Sequence, residues 1–190
     1  MRTHTLTRSL ALALCVTTLV GCVGYSSYPG LPNDTALNDT NTTAMKQVTL
    51  ESLRYVSEHR ELPDRYTLNL PFGMVAENVA GMVRDLDDPR GVVLSHETAD
   101  LPVVHVVEIR IRGSRAQVDV ASPLPGTTSD SEIIAHEMNT IYLRGGLKRW
   151  RVTDARRWSI ANASVPEPYF IEDAPTIERP TQVNATNEPD

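Results

Sequence analysis

Cysteine is almost missing from this 190-residue chain: the only two, Cys15 and Cys22, stand within its first 22 residues. Beyond them no disulfide can brace the fold and no thiol can act as a nucleophile, so the rest must be held by its apolar core. Catalytic signatures are missing too. There is no Gly-x-Ser-x-Gly, no phosphate loop and no Gly-x-Gly-x-x-Gly after a strand, which argues against motif-bearing hydrolases, P-loop enzymes and dinucleotide-binding folds. His136-Glu137 opens as a zincin motif would, but Thr140 stands where the second His belongs. Nothing in the pattern calls for a metal or another cofactor. Basic residues are in deficit, 18 against 24 acidic ones, so bulk charge does not draw the chain to nucleic acid. The apolar stretch from Leu10 to Val20 is only 11 residues long, whereas a helix needs about 20 to span a bilayer.

That short stretch has Arg2 and Arg8 before it and small residues at its end, the three parts of a secretory signal. It closes on Leu19-Val20-Gly21-Cys22, which resembles the lipobox of bacterial lipoproteins. The resemblance covers the leader alone. It implies cleavage before Cys22, a diacylglycerol thioether on that residue and a further acyl chain such as palmitate on its amine. Each buried methylene contributes roughly 0.8 kcal/mol, so one chain anchors marginally and two or three hold firmly. Cys15 would leave with the leader. Val23 takes the place where Asp often marks retention in the inner membrane, so the expected address is the outer membrane of a bacterial envelope, facing the periplasm. Loss of Arg2 and Arg8 with the leader takes the 18 basic residues to 16 against 24 acidic ones, a formal charge of −8.

Composition then divides the chain into three pieces. Residues 22–44 are the lipidated Cys and a segment rich in Gly, Ser, Pro, Asn, Asp and Thr, expected to be a flexible linker. Residues 45–165 form one domain without internal repeats. Residues 166–190 carry five prolines and six acidic residues against one Arg, which reads as an acidic tail, disordered or loosely docked.

Within the domain, Met45, Val48, Leu53 and Val56 recur at helical spacing up to Leu62-Pro63, predicting a helix over 45–60. Val75, Val79, Met82, Val83 and Leu86 predict a second over 73–86. Residues 66–70 and 92–94 suit short strands, the latter after the turn Asp87-Asp-Pro-Arg-Gly91. From Val103 the period becomes two: Val103, His105, Val107, Ile109 and Ile111 point one way, and Glu108, Arg110 and Arg112 the other. Gly113-Ser114 suits a type II′ turn into Ala116, Val118 and Val120. A long strand over 132–144 has no wholly apolar alternate set, so neither face can be assigned to the core. Gly145-Gly146 turns into a strand over 147–152, and 158–161 ends the run.

Helices followed by an antiparallel meander give an α+β domain, helices packed on one face of a curved sheet. That order, with Tyr142-Leu-Arg-Gly-Gly-Leu-Lys-Arg-Trp-Arg-Val152 near the end, resembles the cone-shaped nuclear transport factor 2-like superfamily. A cystatin-like layout, one helix gripped by a meander, is the alternative.

His105, in the apolar register of its strand, and Trp150 are the candidate pocket residues, with filling of the core as the blander role of each. Trp158 is expected in the core. His96, Glu97 and Asp100 cluster on a loop and could join His105 or His136 around a divalent ion. Glu108 and Asp119 are expected to pair with arginines across strands, a surface arrangement worth little energy. Arg144, Lys148, Arg149, Arg151, Arg156 and Arg157 against Asp154 concentrate a charge of +5 in residues 144–157. The acidic tail, an acidic partner or lipid headgroups near the anchor would suit it. Two function classes follow: a membrane-anchored lipoprotein whose non-catalytic domain binds a protein or envelope component, or a small-molecule binder or cofactor-free enzyme with a pocket between sheet and helices.

Overall fold

A computed structural model describes residues 25–30, 38–124, 135–160 and 165–171. Cys15 and Cys22 lie outside the described residues, as does the tail from residue 172 onward. The strands are β1 Tyr25–Tyr28, β2 Tyr66–Asn69, β3 Gly91–Val93, β4 Val103–Arg112, β5 Arg115–Pro123, β6 His136–Arg144 and β7 Arg151–Ile160. The helices are α1 Thr43–His59 and α2 Ala76–Leu86. The fold is therefore α+β: two helices and one seven-stranded, mostly antiparallel sheet in the order β3-β2-β4-β5-β6-β7. β2 runs parallel to the first residues of β4, and β1 pairs antiparallel with the last ones.

α1 starts where the Thr42 hydroxyl accepts a hydrogen bond from the Met45 N–H, satisfying one of the free amides of the first turn. Its buried face is Met45, Val48, Leu53 and Val56, as the spacing requires. Thr49 and Ser52 share that face and donate back to the Met45 and Val48 carbonyls, so both buried hydroxyls are satisfied. α2 begins at Ala76 rather than 73 because Gly73, at φ 83, belongs to a turn closed by the Met74 N–H on the Pro71 carbonyl. Both helices pack on one face of the sheet with Leu68, Val104, Val106, Ile109, Ile111, Val118, Val120, Ile141 and Leu143. That side is the helix-facing face below, and its opposite is the outer face.

Three expectations are corrected here. The register of β4 shifts between Val106 and Glu108, so Val107 is an extra residue against β5. A bulge of one residue inverts the alternation. Val104 and Val106, not Val103 and His105, therefore share the helix-facing side with Ile109 and Ile111, and His105 turns to the outer face. Second, the segments expected as strands over 147–152 and 158–161 are a loop followed by the single strand β7. Third, both outer pieces contribute to the domain. Tyr25–Tyr28, from the expected linker, is β1, and residues 165–171 run against the domain, with the Ile171 N–H on the Leu94 carbonyl and its side chain buried in the core. The β4–β5 hairpin turns as its residues imply: Gly113 has φ 58 while Ser114 keeps a negative φ, the pattern of a type II′ turn.

Candidate functional site

Buried polar side chains gather where β4 and β6 begin. On the outer face Asn69 and His105 are register partners in β2 and β4. The Asn69 amide nitrogen donates to His105 Nδ1 at 3.0 Å and to the Glu167 carbonyl at 3.1 Å, while its oxygen accepts from the Tyr169 N–H at 2.9 Å. The Tyr169 N–H fixes which end of the amide is oxygen, so the other end must donate to His105. The imidazole is consequently neutral, with its proton on Nε2. Burial lowers the His105 pKa, and the neighbouring His136 lowers it further, to about 4. The two rings meet edge to face with centroids 5.3 Å apart. Residues 165–171 form a strap over this cluster, held also by Tyr169 against Phe72 and by Phe170 stacked on His96.

Because side chains alternate along β6, His136 faces outward and Glu137 faces the helices. The pair that opens like a zincin motif is therefore split between two faces. Arg60, just past the end of α1, donates to Asn139 Oδ1, and Asn139 Nδ2 donates to Ser122 Oγ at 3.3 Å. Glu137, with a side chain only 6 % exposed, is paired by Arg157 at 2.7 Å from above and by Arg60 at 3.5 Å. Its Oε1 is buried without a hydrogen bond. Ser122, Glu137, Arg60 and Arg157 line a cavity of ≈ 110 Å³. At about 30 Å³ per water it takes a few solvent molecules, whereas ligand pockets start at about 300 Å³.

No family model, curated protein or solved structure matches the chain. Assignment therefore rests on where the side chains sit. His105 and Trp150, the two candidate pocket residues, are on opposite sides of the sheet: Trp150 fills the helix-facing core, the blander of its two roles, and His105 is buried on the outer face. Trp158, expected in the core, is half exposed on the outer face with its indole N–H on Thr140 Oγ1. Among the described residues no group of three His, Cys, Asp or Glu side chains is placed to hold a metal. Glu108 pairs with Arg110 of its own strand and faces Asp119 across the hairpin.

The cationic run is divided by the sheet. Arg157 goes to Glu137, Arg156 lies over the Tyr142 ring, and Arg149 reaches Glu51 on α1 at 3.0 Å. Arg144, Lys148 and Arg151 remain at the end of the sheet where β4–β5 and β6–β7 turn, around a groove of ≈ 990 Å³ that also takes in Arg115. Sequence reasoning missed Asn69, Arg60 and Asn139 as parts of buried polar clusters. The available signal was a polar residue within an otherwise apolar strand, as in Tyr66-Thr-Leu-Asn-Leu70.

Proposed function

We propose that the protein is a lipid-anchored envelope lipoprotein whose α+β domain is a non-catalytic binding or interaction module. The observation that carries this reading is Leu19-Val20-Gly21-Cys22 behind a basic start and a short apolar core. Two further facts support it. No helix of the described residues is long and apolar enough to cross a membrane, so attachment falls to acyl chains on Cys22. The core between sheet and helices is filled by Met45, Leu53, Val83, Ile109 and Trp150; the cavity beside Glu137 is ≈ 110 Å³, below the size of ligand pockets, and a groove of ≈ 440 Å³ between α1 and the start of β7 lies at the rim of that core. The domain belongs, in this reading, with the cone-shaped nuclear transport factor 2-like layout. A second helix, α2, packed beside α1 favours that layout over a single helix gripped by a meander. Its place is the outer membrane on the periplasmic side, and its partner is an envelope protein or component, not nucleic acid.

The test is mass analysis of the mature N-terminus together with detergent partitioning of wild type and Cys22→Ala. The expected outcome is a triacylated Cys22 in the detergent phase and a soluble or unprocessed variant. An unmodified Cys22, or cleavage at another bond, overturns the reading.

A further inference from the structure

We propose that the turn end of the sheet is a membrane-docking surface, in which a row of four arginines binds the headgroups of anionic phospholipids beside the anchor. The inference rests on lipidation at Cys22 and adds an orientation and a lipid class to it. Arg112 of β4 is the register partner of Arg115 of β5, Arg115 of Arg144 of β6, and Arg144 of Arg151 of β7. Their apolar neighbours Ile111, Ala116, Leu143 and Val152 belong to or pack on the helix-facing core, so all four guanidinium groups leave on the outer face. All four residues are exposed. Among the described residues none of them has a carboxylate partner within salt-bridge distance, in contrast to Arg149, Arg156 and Arg157.

Four like charges on successive strands, about 4.8 Å apart, repel one another. Such a row is costly in the free domain and is relieved by a surface of phosphates, which guanidinium groups bind through paired N–H donors. The groove around Arg115, Arg144 and Arg151 also takes Lys148 and Arg149 and contains no acidic residue. At its rim stands Leu147, 109 % exposed, between Gly146 at φ 101 and Lys148. A single apolar side chain held out among cations suits the boundary between headgroups and acyl chains.

The chain's own direction places the anchor at the same end. Tyr25, the first residue of β1, pairs with Arg112, and the Arg112 guanidinium lies 5.3 Å from the centroid of the Tyr25 ring. Since β1 is antiparallel to β4, the chain enters β1 at the end of the sheet where Arg112 lies and the hairpins turn. Cys22 is three residues upstream of Tyr25, a reach of about 10 Å at most. Acyl chains on Cys22 therefore enter the bilayer next to the arginine row, and the polar clusters around His105 and Glu137 are held at the far end of the sheet.

The acylated, full-length mature protein carrying Leu147→Trp is reconstituted into vesicles with brominated acyl chains, either pure phosphatidylcholine or equimolar phosphatidylcholine and phosphatidylglycerol. Wild type supplies the background from Trp150 and Trp158. The introduced indole is expected to be quenched in the anionic vesicles and not in the neutral ones, and quenching should fade as salt is raised. Combined Arg115→Gln, Arg144→Gln and Arg151→Gln should remove it, three lost cations corresponding to roughly a hundredfold weaker association with an anionic surface. Equal quenching in both vesicles, quenching that survives the triple substitution, or none in either because another group such as the acidic tail covers the row, overturns the proposal. Flotation with neutral vesicles reads the anchor separately. A chain that fails to float there but shows arginine-dependent quenching in anionic vesicles loses the lipid anchor and keeps the docking surface.

Discussion

At one end of the sheet Asn69, His105, Glu137 and Asn139 are buried, whereas at the other Arg112, Arg115, Arg144 and Arg151 stand exposed side by side. The first end spends its polar groups on internal hydrogen bonds and on the ion pairs of Glu137. Asn69 alone joins β2, His105 and the strap, and Arg60 ties the end of α1 to β6. The second end does the reverse: among the described residues its four arginines have no carboxylate partner, and its loop carries an exposed Leu147. Internal satisfaction makes a surface inert, and unmatched charge makes it receptive. The difference indicates which end stabilises the fold and which end meets the outside.

The contrast is most severely tested at Asn69. Asn69→Leu keeps the volume close but removes three hydrogen bonds, and should destabilise the domain by about 4 kcal/mol: about 1 for each bond plus the cost of strap groups left without partners. Urea denaturation of wild type and variant measures it, and a loss below about 1 kcal/mol would mean that the strap is not part of the fold's support.

A somewhat smaller effect is expected from pH. The His105 pKa in the folded protein, about 4, lies below the ordinary 6.5, so the unfolded chain takes up the proton first. The stability that comes from keeping this ring neutral is complete above pH 6.5 and is lost as pH falls toward 4, a loss of about 3 kcal/mol. His105→Gln should flatten that part of the stability profile, because an amide does not titrate. A wild-type profile that is already flat between pH 6.5 and 4 would show that the ring is not held neutral.

The smallest effect belongs to the open end. Replacing Arg115, Arg144 and Arg151 by Gln should stabilise the free domain slightly, by about 0.5 kcal/mol at low salt, as like charges in register are removed. Wild-type Tm should rise when salt is added and the variant's should change less. A drop in stability on substitution would mean that these arginines make contacts of structural importance.

Legibility along the chain followed the range of the interactions involved. The face of α1 was readable from Met45, Val48, Leu53 and Val56, and the β4–β5 hairpin from alternation around Gly113-Ser114, because both depend on residues a few positions apart. His105 was misassigned because a bulge at Val107 depends on how β5 meets β4, and alternation along β4 alone cannot show an extra residue. β6 could not be given an inward face because Glu137 and Asn139 sit on the core side, accepted there only through Arg60, Arg157 and Ser122. β1 was hidden in a polar segment whose composition is that of a linker. Four residues there are ordered by pairing with β4, with Tyr28 packing against the core.

The amino-acid order by itself determined the two helices and the antiparallel hairpin, since helical period and turn chemistry are written in local spacing. Only the tertiary structure decided that His105 and Trp150 belong to different sides of the sheet. It alone brought four arginines, separated by as many as 39 positions from Arg112 to Arg151, into one row next to Tyr25. Strand register joins residues that are distant along the chain, and register is set by packing of the whole sheet against its helices.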